Sequence, residues 1–405
     1  MTTLAAERGT DDRRSNDRQA GDDAFRAELR AWLTAHPPPV GVEVATTTEE
    51  AAVLREWQRT LHAGGWVGVH WPVEYGGRGA SITQVAIYNE ELARANAPHI
   101  LGRGGVSLVG PTLMAHGTEE QRRRWMPRIL AGDDIWCQLF SEPDAGSDLA
   151  GLSTRAEERD GVYVVNGQKV WSSYAQFADW GIALVRTDPT APKHKGLSML
   201  AIPMTAAGVE VRPLRQITGK SEFNEVFFDD VAVPVDHLIG PEHEGWRVAN
   251  TTLGNERGGS FVWKEQVRHE AALDLLLRTC ASRGLTGTPV VRQRLAQAWI
   301  EVEIFRLHNA RTLSRLARGE EIGPESSLVK LFWAGMSQRF YEAAAAVLGA
   351  DALLMPEDDH AVDDGRWPHE MLFSRAASIM GGSSEIQRTV IGERLLGLPR
   401  EPKVS

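Results

Sequence analysis

The segment Trp136-Cys137-Gln138-Leu139-Phe140-Ser141-Glu142-Pro143-Asp144-Ala145-Gly146-Ser147-Asp148 holds the densest set of groups able to do chemistry. An apolar strand runs into a turn of small residues and hydroxyls. Such a turn presents backbone N–H groups and Ser side chains to whatever lies beside the strand. On composition alone the same pattern is more often a plain strand-to-loop junction with capping Ser and Asp. A second feature is Gly381-Gly382-Ser383-Ser384-Glu385-Ile386-Gln387. Ser384 and Gln387 have capping-box spacing, and a helix start preceded by two glycines suits an anion such as a cofactor phosphate. Two other motifs fail. Thr218-Gly219-Lys220-Ser221 ends like a phosphate-binding loop, but Leu214 stands where the first Gly is required. Gly102-Arg103-Gly104-Gly105 lacks the third Gly of a dinucleotide fingerprint.

The elements around these residues change period along the chain. Phe25 to Leu33 repeats apolar residues at three- and four-residue steps, and Thr118 with Gln121 marks a capped helix start. Between about Trp136 and Pro234 short β-branched runs alternate with turn residues. Val162 to Trp171 is the clearest run, and its Asn166-Gly167 predicts a tight hairpin turn. Gly196–Pro203 and Glu225–Val231 read as further strands. Helical periodicity returns over 242–282, 288–317 and 324–349, and Pro356 to Trp367 reads as an exposed loop. Helix, strands, helix is the coarse order.

Composition narrows the function classes. The 405 residues carry 44 Lys and Arg against 54 Asp and Glu, a net charge of −10, with no basic stripe, so nucleic acid is not an expected partner. No apolar run approaches the roughly 18 residues that cross a bilayer, and no membrane association is expected. Two cysteines, Cys137 and Cys280, make neither a disulfide framework nor a metal pair. With 12 scattered histidines and no HExxH spacing, no metal site is expected. A polar N-terminus without a signal-like core and a reducing cysteine pattern give a cytoplasmic expectation.

Four landmarks in order resemble the acyl-CoA dehydrogenase family: Ser141–Asp148, Asn166-Gly167-Gln168-Lys169-Val170-Trp171-Ser172-Ser173, Phe223–Pro234, and Gly381-Gly382-Ser383-Ser384-Glu385-Ile386-Gln387-Arg388. The resemblance runs from about Asp23 to Pro399. It implies an α+β fold with a helical N-terminal domain (23–135), a middle β-barrel domain (136–238) and a C-terminal four-helix bundle (239–400), after a disordered tail at 1–22. It implies FAD as cofactor, an acyl-CoA substrate, a homo-oligomer (tetramer or dimer) or a hetero-oligomer, and electron-transfer flavoprotein or a similar acceptor. Gln138, Phe140, Ser141, Gly146 and Ser147 match the flavin-lining strand and turn, with Ser147 also near the acyl-CoA. Trp171, Ser172 and Ser173 match the segment beside the isoalloxazine ring, and Ser383 and Glu385 the last-helix cofactor contact. Without the resemblance, Trp171 is one of 13 tryptophans and reads as a core aromatic.

The family's reaction is α,β-dehydrogenation to the trans-2-enoyl thioester: a carboxylate removes the α-proton and the β-hydride passes to the flavin. Many members carry the base just before the Gly of the last-helix signature, where this chain has Gly381. A second position used in the family matches Glu256 in Leu253-Gly254-Asn255-Glu256-Arg257, so the resemblance implies Glu256 as base and Arg257 beside the substrate. The plain alternative is a helix-surface carboxylate paired with Arg257 or Arg268. Three other readings keep the fold: a non-catalytic FAD-binding or structural subunit of an active homologue, a monooxygenase-like flavoenzyme, and an acyl-carrier-protein-specific relative.

Overall fold

The computed structural model describes residues 3–256, 260–320, 322–356 and 358–400, with side chains from residue 19 onward except at 256 and 260–262. The N-terminal part holds α1 (Thr3–Ala35), α2 (Thr48–Ala63), α3 (Ile82–Arg94), α4 (Gly110–His116) and α5 (Glu119–Ala131). Helix α1 takes in residues 3–22, which the sequence reading sets apart from the folded domains. Three of these helices start the same way. The hydroxyls of Thr47, Ser81 and Thr118 accept from the backbone N–H three residues on, while Glu50, Gln84 and Gln121 reach back to the cap. Phe25, Leu29 and Leu33 face inward from α1 and share a core with Trp57, Trp66, Trp71, Leu113 and Trp125.

The middle domain is a seven-stranded sheet: β1 (Trp136–Leu139), β2 (Arg155–Arg159), β3 (Val162–Lys169), β4 (Trp180–Arg186), β5 (Leu197–Pro203), β6 (Val209–Leu214) and β7 (Phe223–Pro234). Its order is β1-β4-β2-β3-β7-β6, with β5 on the other side of β4. Strand β1 runs parallel to β4, pairing Trp136 with Trp180, and the two indoles stack at 5.5 Å with Trp125 edge-on.

The hairpin expected at Asn166-Gly167 lies elsewhere. The turn is Asp160-Gly161, both at positive φ (51° and 83°), closing β2 onto β3 at the Arg159–Val162 pair. Asn166 and Gly167 instead form a register shift within β3 where it pairs with β7. A Cβ on Gly167 would meet Thr154 Oγ1 at 2.5 Å and its Cα at 2.7 Å, so close backbone approach explains the glycine. The Asp-Gly dipeptide carries the same hairpin signal and is equally legible.

The C-terminal part holds α6 (Gly245–Glu256), α7 (Ser260–Ser282), α8 (Pro289–Ala317), α9 (Ser326–Leu348), α10 (Arg366–Phe373) and α11 (Ser384–Val390). Leu276, Phe305, Met336, Phe340 and Trp367 form its core. The expected exposed loop 356–367 is thus corrected at one end: Trp367 is fully buried and its indole donates to Asp363 Oδ2 at 2.6 Å. Between the parts, α6 packs on α4 and β5, and α7 packs on α3. Among the described residues no helix is long and apolar enough to cross a membrane. The architecture is two helical end domains around a β domain.

Candidate functional site

Two turns carrying most of the sequence-identified residues are tied side by side by one buried lysine. Lys169, the last residue of β3, is fully buried and donates to the Phe140 carbonyl at 3.0 Å and to Glu142 Oε1 at 2.8 Å. Glu142 also accepts from the Ser153 N–H, the Ser153 hydroxyl and the Thr154 N–H at 2.7–2.9 Å. Burial would raise the Glu142 carboxyl, but the Lys169 charge and these donors hold it well below its ordinary value. Burial in turn draws the Lys169 ammonium down, against the attraction of Glu142. The pair fixes the backbone of the 140–142 turn, and the Val170 N–H adds a bond to the Ser141 carbonyl at 2.9 Å.

Beyond this anchor the turn opens to solvent. Gln138 and Ser141 are half-buried and Phe140 is buried, whereas Gly146 and Ser147 are exposed. Hydroxyl and backbone donors therefore project from a rigid base. Sequence reading missed Lys169 and Glu142 as its fasteners. The signal was a Lys closing a β run, a place where an unpaired ammonium is costly.

Trp171 follows immediately. It is 61 % exposed and sits at φ 61°, a left-handed conformation that side-chain-bearing residues rarely take. Held strain of this kind concentrates at ligand-contacting turns. The expectation of a plain core aromatic is excluded, since core aromatics are covered. Its ring meets Phe223 edge-on at 6.2 Å. Ser172 is fully buried and pinned on both backbone atoms by Asn224, with N···O distances of 3.0 and 3.1 Å, while its hydroxyl has no partner. Ser173 is exposed beside it. Trp171, Ser172 and Ser173 thus share one turn, locked to the start of β7 by Asn224, a residue the sequence reading did not single out.

The C-terminal candidates lie on other elements. Ser383, not Ser384, is the N-cap of α11, its hydroxyl accepting from the Ile386 N–H at 3.3 Å. Gln387 does not close a capping box; its amide donates to the Gly382 carbonyl at 3.2 Å. Lys330 Nζ holds the same carbonyl at 2.7 Å, so two donors shape the Gly381-Gly382 loop. Glu385 is exposed and pairs with Arg388 at 3.1 Å. Glu256 ends α6, and its side chain lies outside the described residues, as does the whole of Arg257. Arg268, the alternative partner for Glu256, faces Glu43, Glu265 and Glu370 at 3.9, 3.6 and 3.7 Å.

Known proteins are similar to this chain over nearly all of its length. Residues 20–133, 137–231 and 243–396 match the family descriptions "Acyl-CoA dehydrogenase, N-terminal domain", "middle domain" and "C-terminal domain". The chain is 40 % identical to acyl-CoA dehydrogenase IpdE1 of Mycolicibacterium smegmatis over 395 residues, covering 94 % of this chain and 98 % of that protein. The solved Tcur3481-Tcur3483 steroid ACAD superimposes with a TM-score of 0.86 at 31 % identity, covering 94 % of this chain and 98 % of that one. The ChsE4-ChsE5 complex from Mycobacterium tuberculosis gives 0.81 at 32 %, covering 94 % and 98 %. With its three domains matched in order and a relative of such identity across nearly all of it, the chain belongs to the acyl-CoA dehydrogenase family and is an oxidoreductase acting on CH–CH bonds.

Proposed function

We propose that the chain is an FAD-dependent acyl-CoA dehydrogenase that introduces a trans-2 double bond into a bulky, steroid-derived acyl thioester, with Glu256 as the α-proton base. The observation that carries the flavin reading is the strained, exposed indole of Trp171 beside the hydroxyl-bearing 141–147 turn, both fastened by Lys169. The residues present fit FAD, which members of the family bind. Trp171 covers a flat ring, the exposed Ser173 offers a hydroxyl donor with Ser172 holding the turn behind it, and Gln138, Phe140, Ser141, Gly146 and Ser147 line the strand and turn. Bound flavin supplies the two-electron acceptor for the hydrogen leaving the β-carbon. Ser383 and Glu385 serve the cofactor from the C-terminal part, and Arg257 and Ser147 the thioester.

The base assignment rests on chemistry and position. Gly381 has no group to take a proton, whereas Glu256 is a carboxylate at the end of α6. Removing a weakly acidic α-proton requires such a base within hydrogen-bond reach. The steroid assignment follows the relatives, since a solved protein 31 % identical to this chain is named a steroid ACAD. Electrons then pass to electron-transfer flavoprotein or a similar acceptor.

Anaerobic addition of CoA thioesters to the purified yellow protein, followed by visible absorption, tests the reading: bleaching by a polycyclic acyl-CoA is the expected result. A flavoprotein that no thioester bleaches contradicts it. Glu256→Gln lowers turnover by roughly a hundredfold or more with the flavin retained. A loss below tenfold removes Glu256 from the role.

A second reading concerns assembly. Two of the solved relatives are named as pairs of proteins, Tcur3481-Tcur3483 and ChsE4-ChsE5, which favours partnership with a homologous chain over a homotetramer.

A further inference from the structure

Next to the Trp171 turn lies a cluster of cationic side chains that neither the flavin nor the base explains. Glu222, which precedes the Phe223 packed on Trp171, is buried and faces Arg103 and Arg268. Arg103 and His99 come from the loop after α3, Lys264 and Arg268 from the second and third turns of α7, and Glu370 from α10. All three parts of the chain therefore meet here. His99, Lys264 and Arg268 are half-buried and Arg103 is exposed, so the groups line a surface that a ligand can reach.

With Lys264 and Arg103 both charged, the hydrogen bonds do not balance. Lys264 Nζ lies 2.9 Å from His99 Nδ1, and Arg103 Nη1 lies 3.1 Å from His99 Nε2 and 3.4 Å from Nδ1. A neutral imidazole has one acceptor nitrogen, so it cannot serve both cations. Protonating His99 makes matters worse, and burial together with Lys264, Arg103 and Arg268 opposes it. Among the described residues no carboxylate comes within ion-pair distance of Lys264 or Arg103. Arg268 has carboxylates only at 3.6–3.9 Å. The arrangement is relieved by giving up the Lys264 proton, which burial, Arg268 and Arg103 all favour, or by bringing in an acceptor oxygen. With such an oxygen Lys264 keeps its charge; without it, the neutral amine accepts from the His99 Nδ1–H while Arg103 donates to Nε2.

We propose that His99, Arg103, Lys264 and Arg268 form a polar subsite beside the Trp171 turn, binding an acceptor oxygen (carbonyl or carboxylate) that the acyl group carries in addition to its thioester. The inference rests on the dehydrogenase reading and names the substrate class more closely: an oxygenated acyl group rather than a plain hydrocarbon chain. An apolar tail ending here would add no acceptor, leaving Lys264 and Arg103 to share one imidazole.

The test uses the full-length flavoprotein and three CoA thioesters of equal acyl length: unsubstituted, with a keto group near the far end, and with a terminal carboxylate. The wild type favours at least one oxygenated thioester tenfold or more in kcat/KM, and the favoured one tells carbonyl from carboxylate. Lys264→Met lowers the oxygenated-to-hydrocarbon ratio at least tenfold, mainly through KM. Arg103→Gln, at an exposed position whose loss does not endanger folding, lowers it in the same direction and decides the matter if the Lys264 variant does not fold. Bleaching by all three thioesters without preference overturns the polar subsite alone. So does an equal loss on all three in both variants. If only polycyclic thioesters bleach the flavin, the comparison is between polycyclic acyl groups with and without a keto group or carboxylate, and equal kcat/KM for them overturns the subsite; if no thioester of any kind bleaches it, the dehydrogenase reading falls and takes the subsite with it.

Discussion

Lys169 and Glu142 show how much of the site depends on one buried ion pair. Each is almost wholly removed from water, and each leaves the other uncompensated if removed. Lys169→Met is therefore expected to cost about 3–5 kcal/mol of stability, read as a lower thermal midpoint. It also frees the Phe140 carbonyl and loosens the hydroxyl-bearing turn. An unchanged midpoint would show that the pair holds nothing. The pH dependence follows from the direction of the carboxyl shift. Glu142 has a folded-state pKa lowered to about 2 from an ordinary 4.5, against the opposing effect of burial. Its contribution is fully present above about 4.5 and disappears as the pH falls from there towards 2. Acid titration of stability in the wild type should show that loss, and Lys169→Met should flatten it.

At the scale of elements, the position of the Trp171 turn is set by β3 and its irregular pairing with β7. Gly167 has φ 148°, a region open essentially only to glycine, and its missing Cβ makes room for the Thr154 backbone. Gly167→Ala forces either a shift of β3 or a strained backbone. Overpacking of this kind costs about 1–3 kcal/mol, so a lowered melting temperature is expected, with weaker flavin retention because Trp171 lies four residues on. A melt equal to wild type would contradict the close approach. The Asp160-Gly161 turn, by contrast, is set by two positive φ values, with the Val235 N–H donating to the Gly161 carbonyl at 3.3 Å.

For the whole molecule, one face of α8 stands out. Trp299, Ile300, Ile304 and Leu307 are 52, 44, 37 and 57 % exposed and fall on one side of the helix. Clustered exposed apolar residues mark surfaces that are covered in an assembly. Trp299→Glu should shift the protein to a smaller species in sedimentation velocity. An unchanged sedimentation coefficient would place the contact elsewhere. The result bears on the choice between a homo-oligomer and a pair of homologous chains when repeated with a co-expressed partner.

The sequence alone determined the order helix, strands, helix, because that depends on local periodicity and capping: Thr118 with Gln121 caps α5 as its spacing predicts. It also marked Ser141–Ser147 and Trp171–Ser173 through motif resemblance, though nothing in their spacing shows that they adjoin. That was decided by Lys169, whose ammonium reaches across from β3 to the turn after β1 because burial leaves it no other partner. Tertiary structure also moved the tight hairpin from Asn166-Gly167 to Asp160-Gly161, since pairing with β7 and the pressure of Thr154 turn the first dipeptide into a bulge. The convergence of His99, Arg103, Lys264 and Arg268 was invisible in the chain. They are drawn from positions up to 169 apart, and only the fold, which sets the segment after α3 against α7, brings their charges together.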